Sequence, residues 1–298
     1  GGIFGGVMAV LMPALAQPVV RRITGSDDVA LGHFCTIGYL VQAAVAKVVG
    51  KGSRSTEDLE LPDNFKFLQD TYLAMAVVMV PAIAAGPQYI AQFSGGINYL
   101  MYAFMQSIQF VAGVFVLYSG VRLLLNELVP AFRGIAMRIV PDAKPALDCP
   151  VLFPYAPNAV IVGFLATTVG SIIGMLVFPM FGLAMILPGL LTNFFAGGTA
   201  GVFGNALGGR RGAMIGGVIH GLFITFLPAI LVPMLESYGF TGVTFSDSDV
   251  ISSGLVLGHA FQNNWLFVAL FIVFVAALAW FVNGKSAKPK GENVHESV

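Results

Sequence analysis

The chain has 298 residues, of which 57% are hydrophobic and only 10% are charged, whereas soluble domains carry about 25% charged residues. Its 15 basic and 15 acidic side chains balance. The basic side chains flank apolar segments, which favours contact with anionic lipid headgroups or a soluble partner over binding to nucleic acid. The composition therefore predicts a membrane protein.

Seven apolar runs approach or exceed the length that a helix rising ~1.5 Å per residue needs to cross a ~30 Å hydrocarbon layer. They are Gly1–Val20, Tyr72–Phe93, Asn98–Leu125, Val151–Phe178, Met180–Asn205, Ala213–Leu235 and Trp265–Val282. The Lys and Arg residues all fit the connections and the tail that follow odd-numbered runs, which lie on one side of the membrane. The positive-inside rule therefore places these residues and the carboxyl terminus in the cytoplasm. We expect an all-α, polytopic membrane protein with broken or re-entrant helices.

The runs divide the chain into six parts. They are a membrane span at 1–20, a cytoplasmic segment at 21–71, two spans at 72–125, a cytoplasmic loop at 126–147, four spans at 148–283 and a cytoplasmic tail at 284–298. Because the sequence begins inside an apolar run without an initiator methionine, we expect it to be truncated at its amino end.

The cytoplasmic segment contains two features of its own. Residues Ile37–Val49 have apolar side chains at helical spacing and predict a helix that lies at the interface or folds back into the protein. Residues Ser55–Asp58 have the spacing of a capping box. That second feature is compatible with a docking surface for a soluble partner and with a solvated linker.

Prolines interrupt two of the apolar runs. Pro150, Pro154 and Pro157 break the fourth run, and Pro188 with Gly189 breaks the fifth. Irregular backbone at membrane depth is tolerated only against protein or a water-filled cavity, and transporters commonly bind substrate at such breaks. The candidate substrate contacts in these two runs are Asp148, Tyr155, Asn158 and Asn193.

Three ionisable residues, His33, Asp148 and His220, are candidates for a functional role. His33 follows a Gly32 break, where a neutral imidazole can donate to and accept from a hydroxylated ligand, although a satisfied interfacial histidine has the same sequence appearance. We expect Asp148 to be buried, as a substrate-hydroxyl acceptor rather than a proton carrier or helix-terminus partner. His220 lies mid-span and fits a functional role or a hydrogen bond between helices.

The sequence shows no arrangement suited to covalent catalysis. It has no spacing typical of a metal-ligand cluster, paired catalytic carboxylates or a Ser/His/Asp triad. We therefore expect no catalytic residue, no bound metal and no cofactor. We expect the two cysteines, Cys35 and Cys149, to be reduced thiols. A device for permeation is favoured over an enzyme.

Three stretches taken together resemble a known family. They are Ser55 to Pro62, Leu147–Cys149 with Tyr155–Val160, and Gly201–Phe203 followed by Gly208–Gly209. In this order they resemble the membrane IIC component of the ascorbate-type permease of the bacterial phosphotransferase system (PTS). The resemblance runs from about Gly1 to Val282 and corresponds to the carboxyl-terminal two thirds of such a permease.

The resemblance implies a homodimer in the bacterial inner membrane whose mobile core carries a polyhydroxylated substrate past a fixed scaffold. It also implies a soluble IIB subunit that phosphorylates the sugar on the cytoplasmic side. His33 matches the His of the family's Gly-His motif, and Asp148 matches the Asp of its Asp-Cys motif. The family has Gln after that His, whereas Phe34 follows here, so we expect ascorbate or a related compound as substrate.

Two other functions are compatible with the same residues. One is an ion-coupled secondary transporter in which Asp148 carries the proton. The other is a non-transporting membrane module that recruits a soluble partner.

Overall fold

The computed structural model describes residues 2–59, 72–73, 76–77, 80, 94–138 and 144–284. The second apolar run, Tyr72–Phe93, thus lies mostly outside the described residues. The chain divides into two compact units, residues 1–58 with 144–298 and residues 59–143. The fold is all-α, as predicted, with almost no strand. In chain order the α-helices are α1 (Gly2–Thr24), α2 (Thr36–Val49), α3 (Tyr99–Arg138), α4 (Pro157–Val177), α5 (Leu190–Thr192), α6 (Gly198–Ser237), α7 (Ser248–Phe261) and α8 (Trp265–Asn283).

Among the described residues, five helical segments are long and apolar enough to cross a membrane. They are Gly2–Thr24, Tyr99–Leu117, Pro157–Phe181, Asn193–Ser237 and Trp265–Asn283. The smaller unit contributes α3, which continues to Arg138, beyond the predicted end of its apolar run at Leu125. Good helix formers such as Leu128 and Ala131 extend it into the stretch predicted as a loop.

Helix α6 contains a sharp reversal at Gly209, where φ is 55° and ψ is −150°. A methyl group built on Gly204 would lie 2.7 Å from the carbonyl oxygen of Gly212, whereas eight residues of straight helix span about 12 Å. The helix therefore folds into a hairpin with a first arm, residues 198–208, and a second arm, residues 210–237. The reversal separates the predicted fifth and sixth runs and places Arg210 at the tip.

Glycines let the other helices pack closely against this hairpin. A methyl group on Gly163 of α4 would lie 2.5 Å from the Cα of Gly201 in the first arm. On the other side, a methyl group on Gly212 would lie 2.8 Å from the Cβ of Ala46 in α2. Such small residues allow helix backbones to approach without side-chain clashes. Helix α2 is thus folded into the protein, one of the two placements that its sequence allows.

Two short strands, β1 (Ala30–Leu31) and β2 (Ala146–Leu147), pair in parallel with Leu31 opposite Leu147. The pairing extends one residue further, because the Gly32 amide donates to the Leu147 carbonyl at 2.7 Å. Each strand ends immediately before a break that the sequence predicted. The two candidate residues that follow, His33 and Asp148, are thereby brought together.

Candidate functional site

His33 and Asp148 form the centre of the candidate site. A ring nitrogen of His33, a carboxylate oxygen of Asp148 and the Cys149 sulfur all lie within 4.8 Å of one another. The His33 side chain is 18% exposed, and its Nε2 lies 3.9 Å from the Asp247 carboxylate. Burial lowers the pKa of His33, and the charges of Asp148 and Asp247 oppose this change. The imidazole is therefore neutral at pH 7 and can both donate and accept a hydrogen bond.

Tyr39 holds the His33 ring in place. Its hydroxyl makes a short hydrogen bond with His33 Nδ1, and the two rings stack with their centroids 5.9 Å apart. Tyr39 is fully buried. Neither its burial nor its polar partner was predicted from the sequence, since the hydrogen bond depends on the conformation of the turn before α2.

His220, on the second arm of the hairpin, lies next to Tyr39. Its ring lies 6.2 Å from that of Tyr39, and its Nδ1 is 3.2 Å from the Thr167 hydroxyl of α4. Both interpretations of His220 therefore retain support, since it makes a hydrogen bond between helices beside the candidate site. Its other nitrogen, Nε2, is buried and has no hydrogen-bond partner among the described residues.

The expected burial of Asp148 is wrong, and the buried carboxylate is that of Asp249. Asp148 is exposed and accepts a hydrogen bond from the Cys149 amide at 2.7 Å. Asp249 is 1% exposed and accepts from the amides of Thr36 and Ile37 at 2.9 and 2.8 Å. Burial raises its pKa to about 6. The first amides of α2 lack partners within the helix, so they stabilise a carboxylate that the sequence had placed in a loop.

Asn193 lies at a separate cavity of about 260 Å³ that is lined by both polar and apolar side chains. The cavity is lined by Ser171, Asn193, Thr225 and Ser246, among others, and its wall includes the Pro188–Gly189 break. Asn193 is 1% exposed, and its oxygen accepts from the Ser171 hydroxyl at 3.3 Å. Ser246 directly precedes Asp247, the residue beside His33, so the cavity and the His33–Asp148 pair share one connecting segment.

The other two predicted contacts lie at the start of α4. Asn158 donates from its side chain to the Thr56 carbonyl at 3.3 Å, while its backbone amide donates to Glu57 at 3.2 Å. Tyr155 is 50% exposed at the end of the 3₁₀ helix Cys149–Tyr155. Asn158 therefore anchors a neighbouring segment, and within the described parts of the chain neither residue forms a hydrogen bond with the His33–Asp148 pair.

That neighbouring segment, residues 53–58, is named the clasp because it joins the hairpin tip to α4. Arg210 donates to the Ser55 and Asp58 carbonyls at 2.9 and 2.6 Å. Glu57 accepts from the first amides of α4, including that of Ala159 at 2.9 Å. The capping-box spacing does form a reciprocal contact, since the Ser55 amide donates to Asp58 at 3.1 Å. The clasp is therefore a bonded part of the helical unit rather than a solvated linker.

The chain is similar to known proteins. Residues 1–249 match the family model described as EIIC-GAT, the PTS system sugar-specific permease component. The chain is also 25% identical to the ascorbate-specific PTS system EIIC component of Mycoplasma pneumoniae, over 88% of this chain and 45% of that protein. It therefore spans less than half the length of that relative. With its membrane-spanning helices and its matched motifs, the chain belongs to the sugar-specific permease component family of the phosphotransferase system.

Proposed function

We propose that this chain carries ascorbate or a related polyhydroxylated compound inward, as the membrane part of a system in which a soluble IIB subunit phosphorylates the substrate. The observation that carries the proposal is the pairing of His33 with Asp148, since the ligand atoms of the two residues lie within 4.8 Å. A vicinal diol or enediol presents adjacent donors and acceptors, and this pair offers one group of each kind.

The hydrogen bonds around the pair leave suitable atoms for a ligand. One Asp148 oxygen is engaged by the Cys149 amide, so the other remains able to accept from a substrate hydroxyl. When the Tyr39 hydroxyl donates to His33 Nδ1, the proton of the neutral ring lies on Nε2, which becomes a donor. The polar side chains of the cavity at Asn193 offer a second set of hydrogen-bond partners for substrate hydroxyl groups.

The chain's surroundings complete the proposal. The protein is a multi-pass membrane protein, and we infer a bacterial inner membrane, a homodimer in contact with lipid and a cytoplasmic carboxyl terminus. The division of the chain into six parts, with boundaries after residues 20, 71, 125, 147 and 283, stays a prediction. So does the cytoplasmic position of the segment 21–71. The permease itself performs no phosphoryl transfer. Its partner subunits do so.

The test is uptake of labelled ascorbate into cells that express the full-length protein and lack their own permease. We expect uptake to stop when the phosphoenolpyruvate relay is disabled, to persist when the proton gradient is collapsed, and to yield phosphorylated product. We also expect Asp148→Asn to abolish uptake at normal membrane expression, because the amide presents a donor where the carboxylate accepts. The exposed Glu236→Gln is the matched control.

Other outcomes point to the alternatives. Uptake that requires only the proton gradient would establish an ion-coupled carrier. Binding of the IIB subunit without uptake of ascorbate or other sugars would establish a recruiting module. Normal uptake by Asp148→Asn would remove this residue from the substrate site.

A further inference from the structure

We propose that His33, Cys35 and Asp247 form a binding site for a thiophilic divalent cation, with Zn²⁺ as the ion that fits best. The three ligand atoms lie within 4.8 Å of one another. The Cys35 sulfur is 3.3 Å from the nearer Asp247 oxygen, and His33 Nε2 is 3.9 Å from that same oxygen.

These separations suit tetrahedral coordination. Zn²⁺ binds sulfur at about 2.3 Å and nitrogen or oxygen at about 2.0–2.2 Å, which places neighbouring ligands about 3.3–3.7 Å apart. The two measured separations bracket that range, so small side-chain rotations bring all three atoms into coordination distance. A nitrogen, a thiolate and a carboxylate are ligands that Zn²⁺ accepts readily.

Charge and hydrogen bonding support the same assignment. A Cys35 thiolate and the Asp247 carboxylate together neutralise a divalent ion, which matters in the partly dehydrated interior of a membrane protein. Ligating histidines almost always bond through their second nitrogen to a neighbouring polar group. His33 Nδ1 already has such a partner in the Tyr39 hydroxyl.

The site also has room for an exchangeable ligand. Cys35 is fully buried, whereas the Asp247 side chain is 38% exposed. A fourth position can therefore be occupied by water. Three protein ligands with one open position is the arrangement of exchangeable rather than purely structural zinc sites.

A consequence follows for transport, and it rests on the proposed function. His33 belongs both to this cation site and to the pair with Asp148. When the imidazole nitrogen coordinates the ion, it cannot donate to a substrate hydroxyl. Zn²⁺ is therefore expected to inhibit uptake competitively.

The binding test does not depend on transport. The purified full-length protein, without a histidine tag, is titrated with Co²⁺, because thiolate coordination of Co²⁺ produces a charge-transfer absorption. We expect one ion per chain, displacement by Zn²⁺, and loss of the absorption in Cys35→Ser. In Asp247→Asn we expect affinity to fall more than about 100-fold, since loss of outer-shell partners alone costs about 10–100-fold.

Cys149→Ser is the matched control, because Cys149 also lies beside His33 in a separate group with Asp148. Unchanged Co²⁺ binding by this variant supports the assignment. Absorption that disappears in Cys149→Ser and persists in Cys35→Ser would overturn it, as would the absence of any saturable Co²⁺ absorption. Asp247 is partly exposed, so its variant keeps the test decisive if Cys35→Ser fails to fold. Failure of ascorbate uptake with intact Co²⁺ binding would refute only the proposed function.

Discussion

The clasp and the start of α2 are both polar regions of the same helical unit, but they differ in how their hydrogen bonds are satisfied. In the clasp, the Asn205 side chain accepts from Thr56 and donates to Ser55, while Arg210 donates to two backbone carbonyls. Near the start of α2, the buried Nε2 of His220 has no partner among the described residues, and a methyl group built on Gly38 would lie 2.8 Å from it.

This difference separates a structural role from a functional one. Native proteins leave few buried polar atoms without partners, because each costs about 1–3 kcal/mol. The unpaired His220 nitrogen, on a ring 6.2 Å from that of Tyr39, therefore indicates a place where water or a ligand completes the bonding. The clasp, in contrast, is complete by itself and fixes the hairpin tip against α4.

The largest expected effect comes from changing the hairpin tip that the clasp encloses. Gly209 has a φ of 55°, and a methyl group there would lie 2.3 Å from the Arg54 carbonyl oxygen. Backbone strain at such a residue costs about 1–3 kcal/mol, and the overlap adds to it. We expect Gly209→Ala to lower the melting temperature of the detergent-solubilised protein more than any other change considered.

Gly25→Ala provides the matched control for that prediction. Gly25 has a similar φ of 70°, but nothing lies within 4 Å of an added methyl group. It therefore reports the strain alone. Equal melting temperatures for the two variants would show that the clasp does not press on the hairpin tip.

A smaller effect is expected at the other end of the clasp. Glu57→Ala removes the carboxylate that accepts from the first amides of α4. Loss of a helix cap costs about 0.5–2 kcal/mol. We expect a lower melting temperature with ascorbate uptake per folded protein unchanged. A selective loss of uptake at unchanged stability would contradict the structural role and favour a docking surface.

The sequence predicted the membrane class and the irregular segments, because long apolar runs and prolines that remove helical hydrogen bonds leave local signals. His33 and Asp148 came from their positions and from the family resemblance; the structure brings them together, and their contact with substrate stays a prediction. Buried Asp249 left no such signal. It is separated from Thr36 by 213 residues, and only the folded chain shows that an acid between the sixth and seventh apolar runs meets the start of α2.

The interpretation of Asn158 illustrates the same limit. A polar residue after three prolines has the appearance of a ligand contact, yet its hydrogen bonds go to Thr56 and Glu57. Sequence spacing predicts which residues lie at a break. It does not predict which of them a distant segment will occupy.

The smallest effect on stability is expected for Tyr39→Phe, which tests whether the region near the start of α2 has a functional role. This change keeps the ring that stacks on His33 and packs at a tilt against Phe203, and it removes only the hydroxyl, which bonds to His33 Nδ1. A hydrogen bond contributes about 0.5–1.5 kcal/mol, so stability should fall by no more than about that amount. The exposed Tyr238→Phe is the matched control.

Tyr39→Phe should also weaken transport. Without the hydroxyl, His33 is free to change tautomer and to rotate, and its Nε2 no longer reliably presents a proton to the substrate. A loss of about 1.4 kcal/mol corresponds to a tenfold weaker affinity. We therefore expect the KM for ascorbate to rise by up to about tenfold, with maximal uptake little changed. An unchanged KM would show that Tyr39, like the clasp, only supports the fold.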